Sequence, residues 1–227
     1  MRDKSRTTLI VNRSICMILN KFTLGMFASN CYILGSKESK ECIIVDCGDK
    51  SQEVVDYIKS NNLIVKYIIN THGHLDHIMG NNLLKKEFNA PLCIHSLDEK
   101  MLSNPLLNGS SFYSCDFISE KADILLKDAD SIQIENLKLI VMHTPGHSEG
   151  SICLLSDNYV LTGDTLFQLG IGRTDLPGGS ENEILNSIKN KLFQLDNKMK
   201  VYPGHGNPTT IGYEKQNNPF FDLILYR

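Results

Sequence analysis

Short apolar runs alternate with small polar clusters along this chain, and the clusters share their content. Ile43-Ile44-Val45 leads into Asp46-Cys47-Gly48, and Val65 to Ile69 leads into Thr71-His72-Gly73-His74. Leu137 to Met142 leads into His143-Thr144-Pro145-Gly146-His147, Tyr159-Val160-Leu161 into Gly163-Asp164, and Val201-Tyr202 into Pro203-Gly204-His205. Runs this short, rich in β-branched residues and Tyr and bounded by Gly or Pro, predict strands. Each strand end then delivers His, Asp and Gly on a tight loop with a rigid base, which is where α/β proteins place their chemistry.

A second periodicity predicts helices between them. Val54, Val55 and Ile58 predict one over 51–61, and Leu83, Leu84 and Phe88 predict one over 81–88. Ile184, Leu185, Ile188, Leu192 and Leu195 predict a helix over 181–195, with Ser180 as its N-cap. Ser156-Asp157-Asn158 reads as a hairpin reversal, and 102–118, which has no period, as a long loop over one face.

Composition narrows the class. The 227 residues are 41% hydrophobic and 22% charged, ordinary for one globular domain with a good core. A net charge of −3 and no run of Lys or Arg argue against nucleic acid as a partner. Seven cysteines, an odd number with no Cys-x-x-Cys pair, read as buried free thiols in a reducing cytoplasm. Arg2 to Arg6 precede Leu9-Ile10-Val11, but Asn12 and Arg13 end that run too soon for a secretory signal. No stretch is long enough for a transmembrane helix, so membrane association is not expected.

The strongest chemical signal is Thr71-His72-Gly73-His74-Leu75-Asp76-His77. Residues two apart in an extended segment point the same way, so His72 and His74 can converge on one ion. Asp76 and His77 are adjacent and can share an ion only where the chain bends. Imidazole and carboxylate suit zinc and other first-row ions. One such cluster cannot fill two coordination spheres, and His147, Asp164 and His205, each beside a Gly, supply what is missing.

This set resembles the metallo-β-lactamase superfamily, whose hallmark is His-x-His-x-Asp-His followed by later His, Asp and His ligands. Gly163-Asp164-Thr165-Leu166-Phe167, Gly170 to Asp175, Pro203-Gly204-His205-Gly206 and Asn217-Asn218-Pro219-Phe220 resemble its glyoxalase II-like, hydroxyacylglutathione hydrolase-like branch. The resemblance implies an α/β fold, an αββα sandwich of two mixed β-sheets flanked by helices, over residues 17–227. Residues 1–16 would be an N-terminal extension and a candidate for disorder. It also implies two divalent ions, zinc first with iron or manganese as substitutes. His72, His74 and His147 would hold one, Asp76, His77 and His205 the other, and Asp164 would bridge them. Asp46 matches a position near that site, where it would support a ligand.

The implied activity is hydrolysis of a small thioester by a hydroxide bridging the ions, with Asp76 as the residue that orients it. Arg173 and Asp175, on a Gly-rich loop soon after a ligand, are candidate substrate contacts. An internal Arg-Asp pair shaping the loop is the competing reading of those two. His95 and His143 match no family ligand and read as structural. Glyoxalase II enzymes proper carry a helical domain after the last His ligand. Only residues 206–227 follow His205 here, which resembles the short form of the family and leaves a different small thioester open as substrate. The alternative on the same scaffold is a sulfur dioxygenase acting on persulfides with one iron, whose ligands would be His72, His147 and Asp164. Asp164 stands where β-lactamases proper often have Cys, which disfavours that activity.

Overall fold

The computed structural model describes residues 17–226. The extension expected over residues 1–16, with Cys16, lies outside the described residues.

The first half builds a mixed sheet. Strands β1 (Met17–Leu24), β2 (Ser29–Ser36) and β3 (Glu41–Val45) run antiparallel. Helix α1 (Gln52–Ser60) then leads to β4 (Ile64–Ile69), parallel to β3. Helices α2 (Leu75–Ile78) and α3 (Asn81–Phe88) precede β5 (Leu92–His95), and α4 (Glu99–Leu102) precedes β6 (Ile124–Leu126), so that the sheet order is β1 to β6.

The second half builds another sheet from β7 (Ser131–Ile134), β8 (Leu137–His143), β9 (Ile152–Leu155), β10 (Tyr159–Gly163), β13 (Lys200–Pro203) and β14 (Thr209–Thr210). All its pairs are antiparallel except β10 and β13, which run parallel. A small ribbon, β11 (Leu166–Phe167) with β12 (Gly170–Ile171), and helix α5 (Glu181–Asn190) connect that parallel pair. Helices α6 (Ile211–Asn217) and α7 (Phe221–Tyr226) follow.

The central strands are apolar on both faces, because each face meets another layer. Tyr32, Leu34, Ile43 and Val45 point inward to Leu139, Val141, Ile152, Leu154 and Leu161 of the other sheet. Their neighbours Cys31, Ile33, Cys42 and Ile44 point outward to Val54, Val55, Ile58 and Leu84 on α1 and α3. Cys153, Val160 and Val201 likewise pack on Ile184, Leu185 and Ile188 of α5. The result is the four-layer α/β sandwich expected.

Ser51 and Ser180 cap α1 and α5, accepting from the backbone N–H of Val54 and Glu183. The reversal at Ser156 joins β9 to β10, with Ser156 N donating to Tyr159 O over 2.9 Å. The helix expected over 181–195 is shorter, ending at Asn190, with a 3₁₀ turn over Leu192–Gln194. Lys191 breaks it: its ammonium donates to His143 O at 2.7 Å and meets Asp128 at 3.2 Å. Leu192 and Phe193 still bury, so the helical spacing of apolar residues continues past the helix that suggested it. The loop expected over 102–118 carries one 3₁₀ turn, Ser110–Tyr113. Among the described residues, no helix is long and apolar enough to cross a membrane.

Candidate metal centre

Strands β3, β4, β10 and β13 end at one edge of the sandwich, and the polar clusters that follow them converge there. His72, His74 and His147 offer ligand atoms that lie within 4.8 Å of one another. The same is true of Asp76, His77 and His205, and of His72, His77 and Asp164. All seven residues expected at the site are therefore brought together. Helix α2 supplies the bend that aims Asp76 and His77 alike, with His74 as its extended N-cap residue.

Spacing tests whether these groups fit metal ions. Ligands at about 2.0–2.1 Å from a tetrahedral zinc stand about 3.3 Å apart. In the first group, His147 Nε2 is 2.9 Å from His74 Nδ1 and 3.2 Å from His72 Nε2. In the second, His205 Nε2 is 3.4 Å from His77 Nε2 and 3.1 Å from Asp76 Oδ2, and the third side is 3.6 Å. Asp164 reaches both groups, 3.4 Å from His77, 3.5 Å from His147 and 3.5 Å from His205. Among the described residues its buried Oδ1 has only the His77 ring at 3.4 Å and no well-formed hydrogen bond, a costly state for a carboxylate oxygen that a metal ion would relieve. The residues fit a pair of ions sharing Asp164.

The supports are built in as well. Asp46 Oδ2 stands 3.2 Å from His77 Nδ1, while the Thr71 amide and hydroxyl donate to the same carboxylate at 2.8 and 2.7 Å. Asp46 holds a left-handed φ of 56°, rare for a residue with a side chain, at the point where β3 must turn toward the cluster. The backbone carbonyls of Arg173 and Phe27 face the Nδ1 atoms of His147 and His205 at 2.7 and 3.1 Å. Gly204 is required by closeness: a Cβ there would lie 2.1 Å from Asp164 Oδ1.

Charge divides the site. Burial, with His77, His147 and His74 beside it, holds the His72 imidazole well below its ordinary range. Burial and the adjacent His147 push His74 down to about 3. Burial also opposes a charge on His77, but the carboxylates of Asp164, Asp76 and Asp46 outweigh it and raise that pKa well above the usual value. His205 is raised in the same way, through its bond to Asp76 and the charge of Asp164. Burial would raise the carboxyls of Asp164 and Asp76, yet His77 prevails and holds both below the carboxylate range. His72 and His74 are thus held as neutral imidazoles, while Asp76, His77 and His205 form an imidazolium–carboxylate network.

A cleft of about 350 Å³ opens over the cluster, with His74, Asp76, His147, Asp164 and His205 on its floor. Arg173 lines it, but Asp175 does not. The two form a bidentate pair at 2.7 and 2.6 Å on an exposed loop. His95 and His143 lie apart from the cluster, their rings stacked at 4.3 Å. Five of the six described cysteines are buried and all six are unpaired. A residue that the sequence reading missed is Asp98. Its buried carboxylate accepts from Gly73 N at 3.0 Å, Gly150 N at 2.6 Å and Ser148 Oγ at 2.6 Å. It thereby ties the loop of His72 and His74 to the loop of His147.

The model of the metallo-β-lactamase superfamily matches residues 24–205, a span that contains this cluster. The chain belongs to the metallo-β-lactamase superfamily. A hydroxyacylglutathione hydrolase, GloC of Haemophilus influenzae, is 33% identical over 207 residues, covering 86% of this chain and 94% of its own. Among solved structures, the BLEG-1 B3 metallo-β-lactamase superposes with a TM-score of 0.86 at 36% identity, over 90% of this chain and 99% of that one. TTHA1623, solved in a di-iron-bound form, gives 0.77 at 29% identity, over 88% and 99%. Within the metallo-β-lactamase superfamily, then, the chain is a metallohydrolase, and its two mixed sheets flanked by helices are the family's arrangement.

Proposed function

We propose that this chain hydrolyses a small thioester at a binuclear site, with His72, His74 and His147 holding one divalent ion, Asp76, His77 and His205 the other, and Asp164 shared. The observation that carries the reading is the pairing of two ligand groups across Asp164 beneath a cleft whose lining, among the described residues, holds no Ser, Thr, Cys or Lys nucleophile. When bound, the ions supply a water acidified to a pKa of about 7 and a Lewis acid for the carbonyl oxygen. Zinc suits the imidazole-rich donor set best, and the di-iron relative supports iron as a substitute. A thioester, the class to which the substrate in GloC's name belongs, needs little help at its leaving group, and among the described residues the lining offers no general acid outside the ligand groups other than Tyr113.

The chain's own residues do the positioning. Asp76 faces the cleft beside His205, where its carboxylate can orient a nucleophilic water and hold its proton. Asp46, the Arg173 carbonyl and the Phe27 carbonyl fix the ring planes of His77, His147 and His205. Elemental analysis beside a thioester assay on one sample tests the reading. About two ions per chain with turnover, and turnover lost in Asp76→Asn at full occupancy, is the expected result. One iron per chain, with oxygen consumed on adding persulfide and no thioester cleaved, would overturn it in favour of the dioxygenase.

A further inference from the structure

The walls of the cleft say more about the substrate than its floor does. Phe27 comes from the turn between β1 and β2, Phe112 and Tyr113 from the 3₁₀ turn after α4, Phe167 and Ile171 from the β11–β12 ribbon, and Leu176 from the loop beyond. These are separate segments, yet they meet: the Phe27 and Tyr113 rings stand edge to face at 4.8 Å, and Phe167 stands edge to face with His205 at 6.1 Å. Phe112 and Tyr113 are 59% and 52% exposed, and Met26, the chain neighbour of Phe27, is 80% exposed. Large aromatic side chains left in water around a catalytic cleft are surface that an apolar ligand can cover.

The charges point the same way. The charged residues other than histidine in the lining are Asp76, Asp164 and Arg173. Arg173 is the one cation among them, and both edges of its guanidinium fork used in the pair already serve Asp175. A substrate carboxylate that took the place of Asp175 would exchange one ion pair for another and leave Asp175 without its partner. Among the described residues, the cleft therefore offers no free cation for the two carboxylates of a glutathione arm.

We propose, resting on the thioester reading above, that this cleft takes a thioester whose thiol arm is uncharged and apolar, and that it discriminates against the glutathione carrier with its two carboxylates. The aromatic walls lie over that arm, while the scissile carbonyl sits on the floor between the two ligand groups. Arg173 and Asp175 act together as a selectivity element, with Asp175 keeping the guanidinium from recruiting anions.

A matched pair of substrates isolates the thiol arm: the lactoyl thioesters of glutathione and of benzyl mercaptan. The expected result is a kcat/KM at least about tenfold higher for the benzyl mercaptan thioester, an order of magnitude that one buried aromatic ring can supply. In the double variant Phe112→Ala, Tyr113→Ala that ratio falls toward one, and in Asp175→Asn the glutathione conjugate gains several-fold as the guanidinium is freed. Equal or better use of the glutathione conjugate by the parent protein, or a ratio unmoved by the aromatic double variant, overturns the proposal. Binding of the two non-hydrolysable 2-hydroxypropyl thioethers, read by calorimetry, separates this from the activity. Tighter benzyl thioether with no thioester turnover would retire thioester hydrolysis and uphold the cleft's preference. Equal or tighter glutathione thioether retires the preference whatever the turnover.

Discussion

Replacing Asp98 by Asn removes one acceptor from a carboxylate that uses both oxygens. Oδ1 accepts from Gly150 N, and Oδ2 accepts from Gly73 N and Ser148 Oγ. The amide can keep Gly150 and donate to Ser148 Oγ, whose hydroxyl can turn to Ser151 Oγ, 2.6 Å away. Gly73 N–H then has no acceptor in a buried place, at a cost of about 1–3 kcal/mol. Burial already raises the Asp98 carboxyl against its charge, so a neutral amide recovers part of that cost. A loss of about 1–2 kcal/mol follows, or about 2–8 °C in Tm for a chain of this size. The freed loop is the one between His72 and His74, so ion affinity of the three-histidine group should also fall, by about tenfold or more. Urea unfolding of chelator-treated protein reads the first quantity, and ion titration reads the second. If the Asn variant loses stability but binds ions as the parent does, Asp98 supports the fold and not the cluster, and the reasoning fails.

Two further predictions concern protons. Ions compete with protons for imidazole, and only groups protonated beforehand release any on loading. His72 and His74 are held below their usual range and His77 and His205 above it. Zinc titration near pH 7, in buffers of differing ionisation enthalpy, should therefore show proton release with the Asp76, His77 and His205 group, and this release should fall in His77→Ala, which leaves His205 alone to give up a proton. Burial, with His143 stacked against it, also depresses His95 to about 4, so the folded state keeps that ring neutral while the unfolded chain binds a proton below about 6.5. The unfolded state then holds more protons between those values, and stability falls as pH drops through that window. His95→Gln should flatten the urea-midpoint profile there by about one proton; an unchanged profile would contradict the shift.

What could be read from the chain alone was whatever chemistry lay beside its own strand ends. His72, His74, Asp76 and His77 stand in one segment, and His147, Asp164 and His205 each follow an apolar run with a Gly next to them, so local spacing announced them. Asp98 had no such mark, because its partners are backbone amides 25 and 52 residues away, a relation no window along the chain contains. The cleft walls were hidden for the same reason. Phe27, Phe112 and Phe167 lie on separate turns, and nothing local says that the first two turns touch. Strand β1 was missed since Asn20, Lys21 and Thr23 interrupt its apolar pattern, as suits an edge strand paired on one side only. The expected helix over 181–195 ran too long because Leu192 continues the apolar face across a break made by a tertiary contact of Lys191.

The first sheet reaches across to the last ligand loop. Asn30 Nδ2 donates to Pro203 O and Gly206 O, the Tyr32 hydroxyl donates to Pro203 O, and Ser29 bridges to His205. Residues more than 170 positions apart are thus sewn together at the rim of the site. Such contacts repay the entropy of closing the chain only late, when both sheets have formed. Ion uptake by the Asp76, His77 and His205 group accordingly reports that the two halves have closed on each other, and a refolding protein monitored by zinc capture would give a clock for that final step.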